Sequence, residues 1–148
     1  MQKDIDIIIY GATGFTGQLC VKYFQSLNTG VKWAIAGRDQ EKLQKVASDN
    51  SADVEILIAD SDDEAALDIL TSRATVILST TGPFHRYGSK LVASCVKNSA
   101  NYVDITGENF WVKGLIAKHH EEASEKGIRI IPSCGYDSIP SDLGVFYS

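Results

Sequence analysis

The sequence is short of what several protein classes require. Basic residues are the minority charge, 14 Lys and Arg against 19 Asp and Glu, for a net charge of −5. A nucleic-acid binder normally shows the opposite balance, so no nucleic-acid partner is expected. Long apolar runs are missing. Stretches such as Ile7-Ile8-Ile9-Tyr10 fall far short of the roughly 20 residues that a membrane-spanning helix needs. Lys3, Asp4 and Asp6 break any apolar leader at the amino terminus. The three cysteines, Cys20, Cys95 and Cys134, are odd in number and widely spaced. That excludes a disulfide framework and points to a reducing, cytoplasmic setting. There is no CxxC and no His/Cys cluster, so no metal site is expected. Apolar residues at 44% and charged residues at 22% exclude disorder as the main state. A chain of 148 residues is one domain's worth and buries roughly two-thirds of its unfolded surface.

What is present is an alternation. Apolar segments rich in β-branched residues are expected as strands at Ile5 to Tyr10, Val31 to Ala36, Val54 to Ala59, Thr75 to Ser79, Tyr102 to Ile105 and Ile128 to Pro132. Amphipathic segments between them predict helices at Thr16 to Leu27, Gln40 to Ser48, Asp63 to Ser72, Ser89 to Asn98 and Val112 to Lys126. Leu19, Tyr23 and Leu27 share one face of the first helix, beside Cys20 and Phe24. Asp39 is the expected cap of the second. Near-continuous apolar strands imply a sheet covered on both faces. The expectation is an α/β, doubly wound parallel sheet of about six strands, order 3-2-1-4-5-6, with helices on both faces.

The first strand runs directly into Gly11-Ala12-Thr13-Gly14-Phe15-Thr16-Gly17, which opens the first helix. The spacing is GxxGxxG rather than GxGxxG, but the physical demand is shared. Gly11 permits the tight turn, Gly14 lets backbone approach a pyrophosphate, and Gly17 lets helix and strand pack closely. The helix start supplies unpaired N–H groups and a favourable dipole, and Thr13 and Thr16 add hydroxyls. Glycines also serve ordinary turns, but this position in a βα pattern identifies a Rossmann-type dinucleotide site. No Gly-Lys-Ser/Thr is present, so it is not a P-loop.

The second strand ends Ala36-Gly37-Arg38-Asp39. An NAD site places an acid here to hold the ribose 2′-OH. Gly37 instead leaves room, and the planar fork of Arg38 suits a 2′-phosphate. NADP is therefore the expected cofactor. NAD is the alternative if Asp39 takes the ribose. Asp60, at the end of the third strand, either accepts from the adenine amino group or caps the third helix. Thr80, Thr81, Gly82 and Pro83 follow the fourth strand, where the nicotinamide half should lie.

Candidates for chemistry are few. Tyr87 and Lys90 stand three apart, not the four of a Tyr-x-x-x-Lys pair, and read as a surface feature near the fourth helix. His85, beside the nicotinamide loop, is a possible proton donor. His119 falls with Ile116 and Ala123 on the apolar side of the fifth helix, and His120 on its solvated face. Cys134 reads as a small buried thiol, or as a nucleophile if activated. Asp104 and Glu108 border the substrate cleft or cap a turn.

Five segments occur in order: GATGFTG (Gly11 to Gly17), AGRD (Ala36 to Asp39), STTGPFHRYG (Ser79 to Gly88), YVDITGE (Tyr102 to Glu108) and GYDSIPSDLG (Gly135 to Gly144). On these the chain resembles the amino-terminal domain of the saccharopine dehydrogenase-like oxidoreductases, the group that includes trans-acting enoyl reductases. The resemblance covers nearly the whole chain, and the last two segments are its most specific part. It implies a two-part NAD(P)-dependent oxidoreductase acting on a small-molecule or lipid-like substrate, with a homo-oligomer as the expected assembly. Residues 1–148 would be the dinucleotide-binding domain. A longer carboxy-terminal part, expected to begin near Ser148, would complete the substrate site. Semialdehyde dehydrogenases share a GATGxxG loop but set their nucleophilic Cys in Asn-x-Gly-Cys, unlike Pro132-Ser133-Cys134-Gly135 here. A non-catalytic NADP-sensing domain would leave GYDSIPSDLG unexplained.

Overall fold

The computed structural model describes residues 3–27 and 29–148. Its strands are β1 (Ile5–Tyr10), β2 (Trp33–Gly37), β3 (Glu55–Ile58), β4 (Ala74–Ser79), β5 (Asn101–Asp104) and β6 (Ile130–Ile131). The helices are α1 (Phe15–Ser26), α2 (Gln40–Asp49), α3 (Glu64–Arg73), α4 (Phe84–Lys97), α5 (Asn109–Glu125) and α6 (Ile139–Tyr147). The strands form one parallel six-stranded sheet in the order β3-β2-β1-β4-β5-β6, as the alternation predicted.

Side-chain alternation along the strands divides the core into two layers. In register across the sheet, Ile8 lies beside Ala34 and Ile77, Ile77 beside Tyr102, and Tyr102 beside Ile130. This row faces Leu67 and Leu70 of α3, Leu91 and Cys95 of α4, and Trp111 and Leu115 of α5. One position on, Ile9 lies beside Ile35 and Leu78, and Ile35 beside Ile56. That row faces Val21 of α1 and Leu43 and Val46 of α2. Helices thus cover both faces, and each fully buried aliphatic side chain contributes about 1.5–3 kcal/mol.

Three expectations need correction. The buried side of α1 is Gly17 and Val21, with Cys20 and Phe24 half-buried, whereas Leu19 and Tyr23 are 53% and 62% exposed. Gly17 is the reason: the helix rolls its smallest residue against the strand, carrying Leu19 and Tyr23 outward. Helix α4 begins at Phe84, not Ser89, and α5 at Asn109, not Val112. The cause at α4 is a cap distant in sequence. The Glu108 carboxylate accepts the amides of Phe84 and His85 at 2.8 and 2.9 Å. Among the described residues no helix is long and apolar enough to cross a membrane.

Candidate functional site

Strand order reverses at β1, so a crevice opens where the chain leaves the carboxyl ends of β1 and β4. Gly11 leaves β1 with φ +86, and a Cβ there would stand 2.2 Å from Thr81 Oγ1. A Cβ on Gly17 would lie 2.2 Å from the Gly11 carbonyl oxygen and 2.8 Å from Ala12 Cα. Only hydrogen fits at either place. Gly11 and Ala12 donate to the Ala36 carbonyl at 2.9 and 3.3 Å, which ties the loop to the end of β2.

Helix α1 differs from the three that follow it. Asp39 caps α2 through the Lys42 amide, Asp63 caps α3 through the Ala66 amide, and Glu108 caps α4. At α1 no side chain among the described residues caps the first turn, and no acid lies in it. Its free amides and positive dipole end are available to an anion.

The cleft in front of these amides has a volume of about 400 Å³. It brings together Gly11, Thr13, Gly14, Arg38 and Thr80 to Pro83 from the sequence-based set. Phe15 is 83% exposed at the start of α1 and, like Thr16, lies outside this lining. Gly17 is buried beneath the loop. Asp60 lines a neighbouring open hollow of about 800 Å³ with Arg38, Asp39 and Lys42, so Arg38 stands at the border of the two. Asp60 does not cap α3. Its Oδ1 accepts the Asp62 amide at 2.9 Å, and the cap is Asp63. Tyr10, Ser61 and Tyr87 also line the cleft. Ser61 is legible in hindsight, because it too follows the carboxyl end of a strand.

Hydroxyls in the cleft are not equivalent. Thr80 Oγ1 is 3.2 Å from both the Tyr10 and the Gly11 carbonyls and braces the loop. Thr81 Oγ1 is buried and has no hydrogen-bond partner among the described residues. An orphan hydroxyl costs about 1–3 kcal/mol unless something in the cleft satisfies it. The glycine cradle, the uncapped helix and this hydroxyl together fit a dinucleotide.

On the β5–β6 side, Asp104 is buried and fully engaged. Its carboxylate accepts the Tyr102 hydroxyl at 2.8 Å and the Thr106 and Ser133 amides at 3.0 and 2.9 Å. Ser133, at φ +60, returns a hydroxyl hydrogen bond to the Thr106 carbonyl at 2.7 Å. Asp104 is thus a tie between two loops. Glu108 Oε2 is also 2.6 Å from His85 Nδ1. Desolvation pulls the Glu108 pKa upward, but the amides of His85 and Phe84 and the His85 ring outweigh it and hold the carboxyl below its ordinary value.

The Cys134 sulfur contacts the Ile131 carbonyl at 3.2 Å, and burial and then Asp104 push its thiol pKa up. Cys134 is half-buried rather than buried, and a raised pKa is the reverse of what activates a nucleophile. His119 is buried, with its pKa lowered by desolvation, and Ala123 is buried beside it, whereas Ile116 is 59% exposed. These residues line an apolar hollow of about 380 Å³ between α5 and β6, away from the cleft.

Comparison with known proteins agrees with this geometry. The model of the saccharopine dehydrogenase NADP binding domain family matches residues 7–131. A trans-acting enoyl reductase of Mycobacterium tuberculosis is 40% identical over 148 residues, covering 98% of this chain and 35% of that protein. A lipid droplet localized protein of Caenorhabditis elegans is 37% identical, covering 95% of this chain and 35% of its own length. The chain therefore spans about a third of the length of the curated relatives it matches. Among solved structures, apo saccharopine dehydrogenase (L-Glu forming) from Saccharomyces cerevisiae superposes with a TM-score of 0.75 at 18% identity, over 90% of this chain and 28% of that one, a likeness of fold. With most of its length matched by the family model and a phosphate cradle of the corresponding kind, the chain belongs to the saccharopine dehydrogenase-like family as its NAD(P)-binding Rossmann domain.

Proposed function

We propose that this chain is the NADP(H)-holding part of an oxidoreductase that moves hydride between NADP(H) and a small-molecule or lipid-like substrate. The observation that carries the reading is the uncapped start of α1, whose N-cap Gly14 lines the cleft with Gly11 and Thr81. The amides of the Gly11 to Gly17 segment, with Phe15 and Thr16 in the first turn, would hold the pyrophosphate. Arg38 would pair with the 2′-phosphate and Asp60 would serve the adenine end. Thr80, Thr81, Gly82 and Pro83 would border the nicotinamide half, with Thr81 Oγ1 gaining the partner it lacks. The cofactor supplies the hydride; the protein supplies position and excludes water.

The full-length protein would reduce a carbonyl, an imine or an activated double bond. The relatives named for enoyl reduction and for lipid droplets favour a lipid-like acceptor. A carboxy-terminal part would supply the opposite wall of the substrate site, so residues 1–148 alone would bind cofactor without turnover. A reducing, cytoplasmic setting and a homo-oligomeric state complete the proposal.

The test is a titration of the chain with NADPH and with NADH. NADPH should bind more tightly, and Arg38→Ala should remove most of that preference. The loss should be about 1.5–3 kcal/mol, toward the lower end because Arg38 is exposed. Equal affinity of the unaltered chain for both cofactors would refute the assignment of Arg38.

A further inference from the structure

Tyr87 and Lys90 have no catalytic spacing, yet the fold gives the pair a defined place. Gly88 packs against Trp111, where a Cβ would stand 2.7 Å from the indole Cζ2, and this fixes the rotation of α4. Tyr87 and Lys90, three apart, then share the flank that looks toward the β3–α3 loop. Lys90 Nζ reaches the Asp62 carbonyl at 3.2 Å and Asp62 Oδ1 at 3.3 Å, so α4 is fastened to that loop. Ser61, the neighbour of Asp62, lines the cleft with Tyr87, Gly37 and Arg38. The Arg86 guanidinium lies over the Tyr87 ring, 5.3 Å from its centroid.

We propose that Tyr87 is the aromatic wall on which the adenine of the dinucleotide stacks. The inference rests on the NADP(H) reading above and deepens it. Arg86 covers one ring face, and Tyr87 lines the cleft beside Ser61 and Arg38. Gly37 lines the cleft by its backbone alone, because a Cβ there would turn toward the buried Leu43 side chain at 3.8 Å. Arg38 stands at the same end, so a group held there carries both a planar base and the phosphate that Arg38 suits. Base-on-aromatic stacking needs no hydrogen bond to the ring, and a cation over the far face of the aromatic is compatible with it. Lys90 is a positioning residue, holding the wall against Ser61.

The probe is 2′,5′-ADP, which carries the base and the 2′-phosphate without nicotinamide, with nicotinamide mononucleotide as its counterpart. Calorimetry on the 148-residue chain should show Tyr87→Leu binding 2′,5′-ADP about tenfold more weakly. Tyr87→Phe should stay within about twofold of the unaltered chain, because the stacking face is kept. In Tyr87→Trp the new indole emission should be quenched by 2′,5′-ADP and unchanged by nicotinamide mononucleotide. That readout also decides the matter if Tyr87→Leu folds poorly. Unaltered affinity in a folded Tyr87→Leu, or an unquenched indole in a Tyr87→Trp chain that still binds 2′,5′-ADP, overturns the inference and leaves the cofactor reading intact. Failure of the unaltered chain to bind either 2′,5′-ADP or NADPH overturns both.

Discussion

Along β1 and β2 the cleft is walled by backbone: Gly11 and Ala12 donate to Ala36, and Gly17 lies against the Gly11 carbonyl with no space between. Along β4 it is walled by Thr80 to Pro83, and beyond that lining the start of α4 and the loops after β5 and β6 are held in place by two carboxylates, Asp104 and Glu108. The first side is fixed by close backbone packing and by amide hydrogen bonds to the Ala36 carbonyl. The second is fixed by carboxylates, whose bonds to Ser133, Phe84 and His85 join residues more than twenty positions apart. Charge and pH should therefore act on one side and hardly on the other, and volume changes the reverse.

The largest test of that contrast is Asp104→Ala. It strands the Tyr102 hydroxyl and the Thr106 and Ser133 amides in a buried setting, and should cost about 4 kcal/mol. Asp104→Asn keeps one acceptor oxygen for the two amides and should cost about 1 kcal/mol. Urea denaturation measures both. Hydrogen exchange should show the loss of protection in the loops after β5 and β6 before it reaches the Gly11 to Gly17 segment. Equal loss on both sides would dissolve the contrast.

Gly17→Ala probes the steric side. Its Cβ would meet backbone atoms at 2.2 and 2.8 Å, which cannot swing away, so about 3 kcal/mol and most of the cofactor affinity should be lost. The loss should not vary with pH between about 4 and 8, the range in which ordinary Glu and His side chains titrate.

Glu108→Gln should show the opposite behaviour. The folded pKa of Glu108 lies below its ordinary value. Its stabilisation is therefore complete above the ordinary carboxylate value and is lost as pH falls through the lower, folded one. Near neutrality the substitution should cost about 1 kcal/mol, as for a weakened helix cap. The difference from the unaltered chain should shrink toward zero in acid. A gap that stays constant from neutral pH down to acid unfolding would remove the carboxylate from the account. Cys134→Ser should have the smallest effect, within about 0.5 kcal/mol in stability and with cofactor affinity unchanged, since the sulfur makes one weak contact to a carbonyl. A folded variant that had lost turnover in the full-length protein but kept cofactor would restore a nucleophilic role.

The steric side is also the side that could be read from sequence. Strands β1 and β4, their order in the sheet and the glycine turn follow from local patterns: β-branched runs, a GxxGxxG spacing, an Asp39 one residue before a helix. The other side was harder. The start of α4 was hidden because its cap, Glu108, lies 24 positions beyond Phe84 in the chain. The outward face of α1 was misjudged because hydrophobic spacing favours Leu19 and Tyr23, while contact with β1 selects the smallest residue, Gly17. The spacing of Tyr87 and Lys90 reads as a surface feature, yet Tyr87 lines the cleft. Its position at the cleft depends on the packing of Gly88 against Trp111, which no spacing within α4 discloses.

The strand order has a further consequence at the margins of the sheet. The outer strands β3 and β6 each leave one row of backbone donors and acceptors without a ladder partner, the usual starting point for sheet extension between molecules. Neither is a good template. β3 has four residues and carries Glu55, paired with Arg73 at 2.7 Å. β6 has two residues and runs into Pro132, which has no N–H to offer. Growth of fibrils from the native sheet is disfavoured at both margins. The apolar runs of β1 and β4 are the segments suited to cross-β stacking, and they are reachable only once the fold has opened. Aggregation of this chain should therefore track its unfolded population rather than its concentration as a folded molecule.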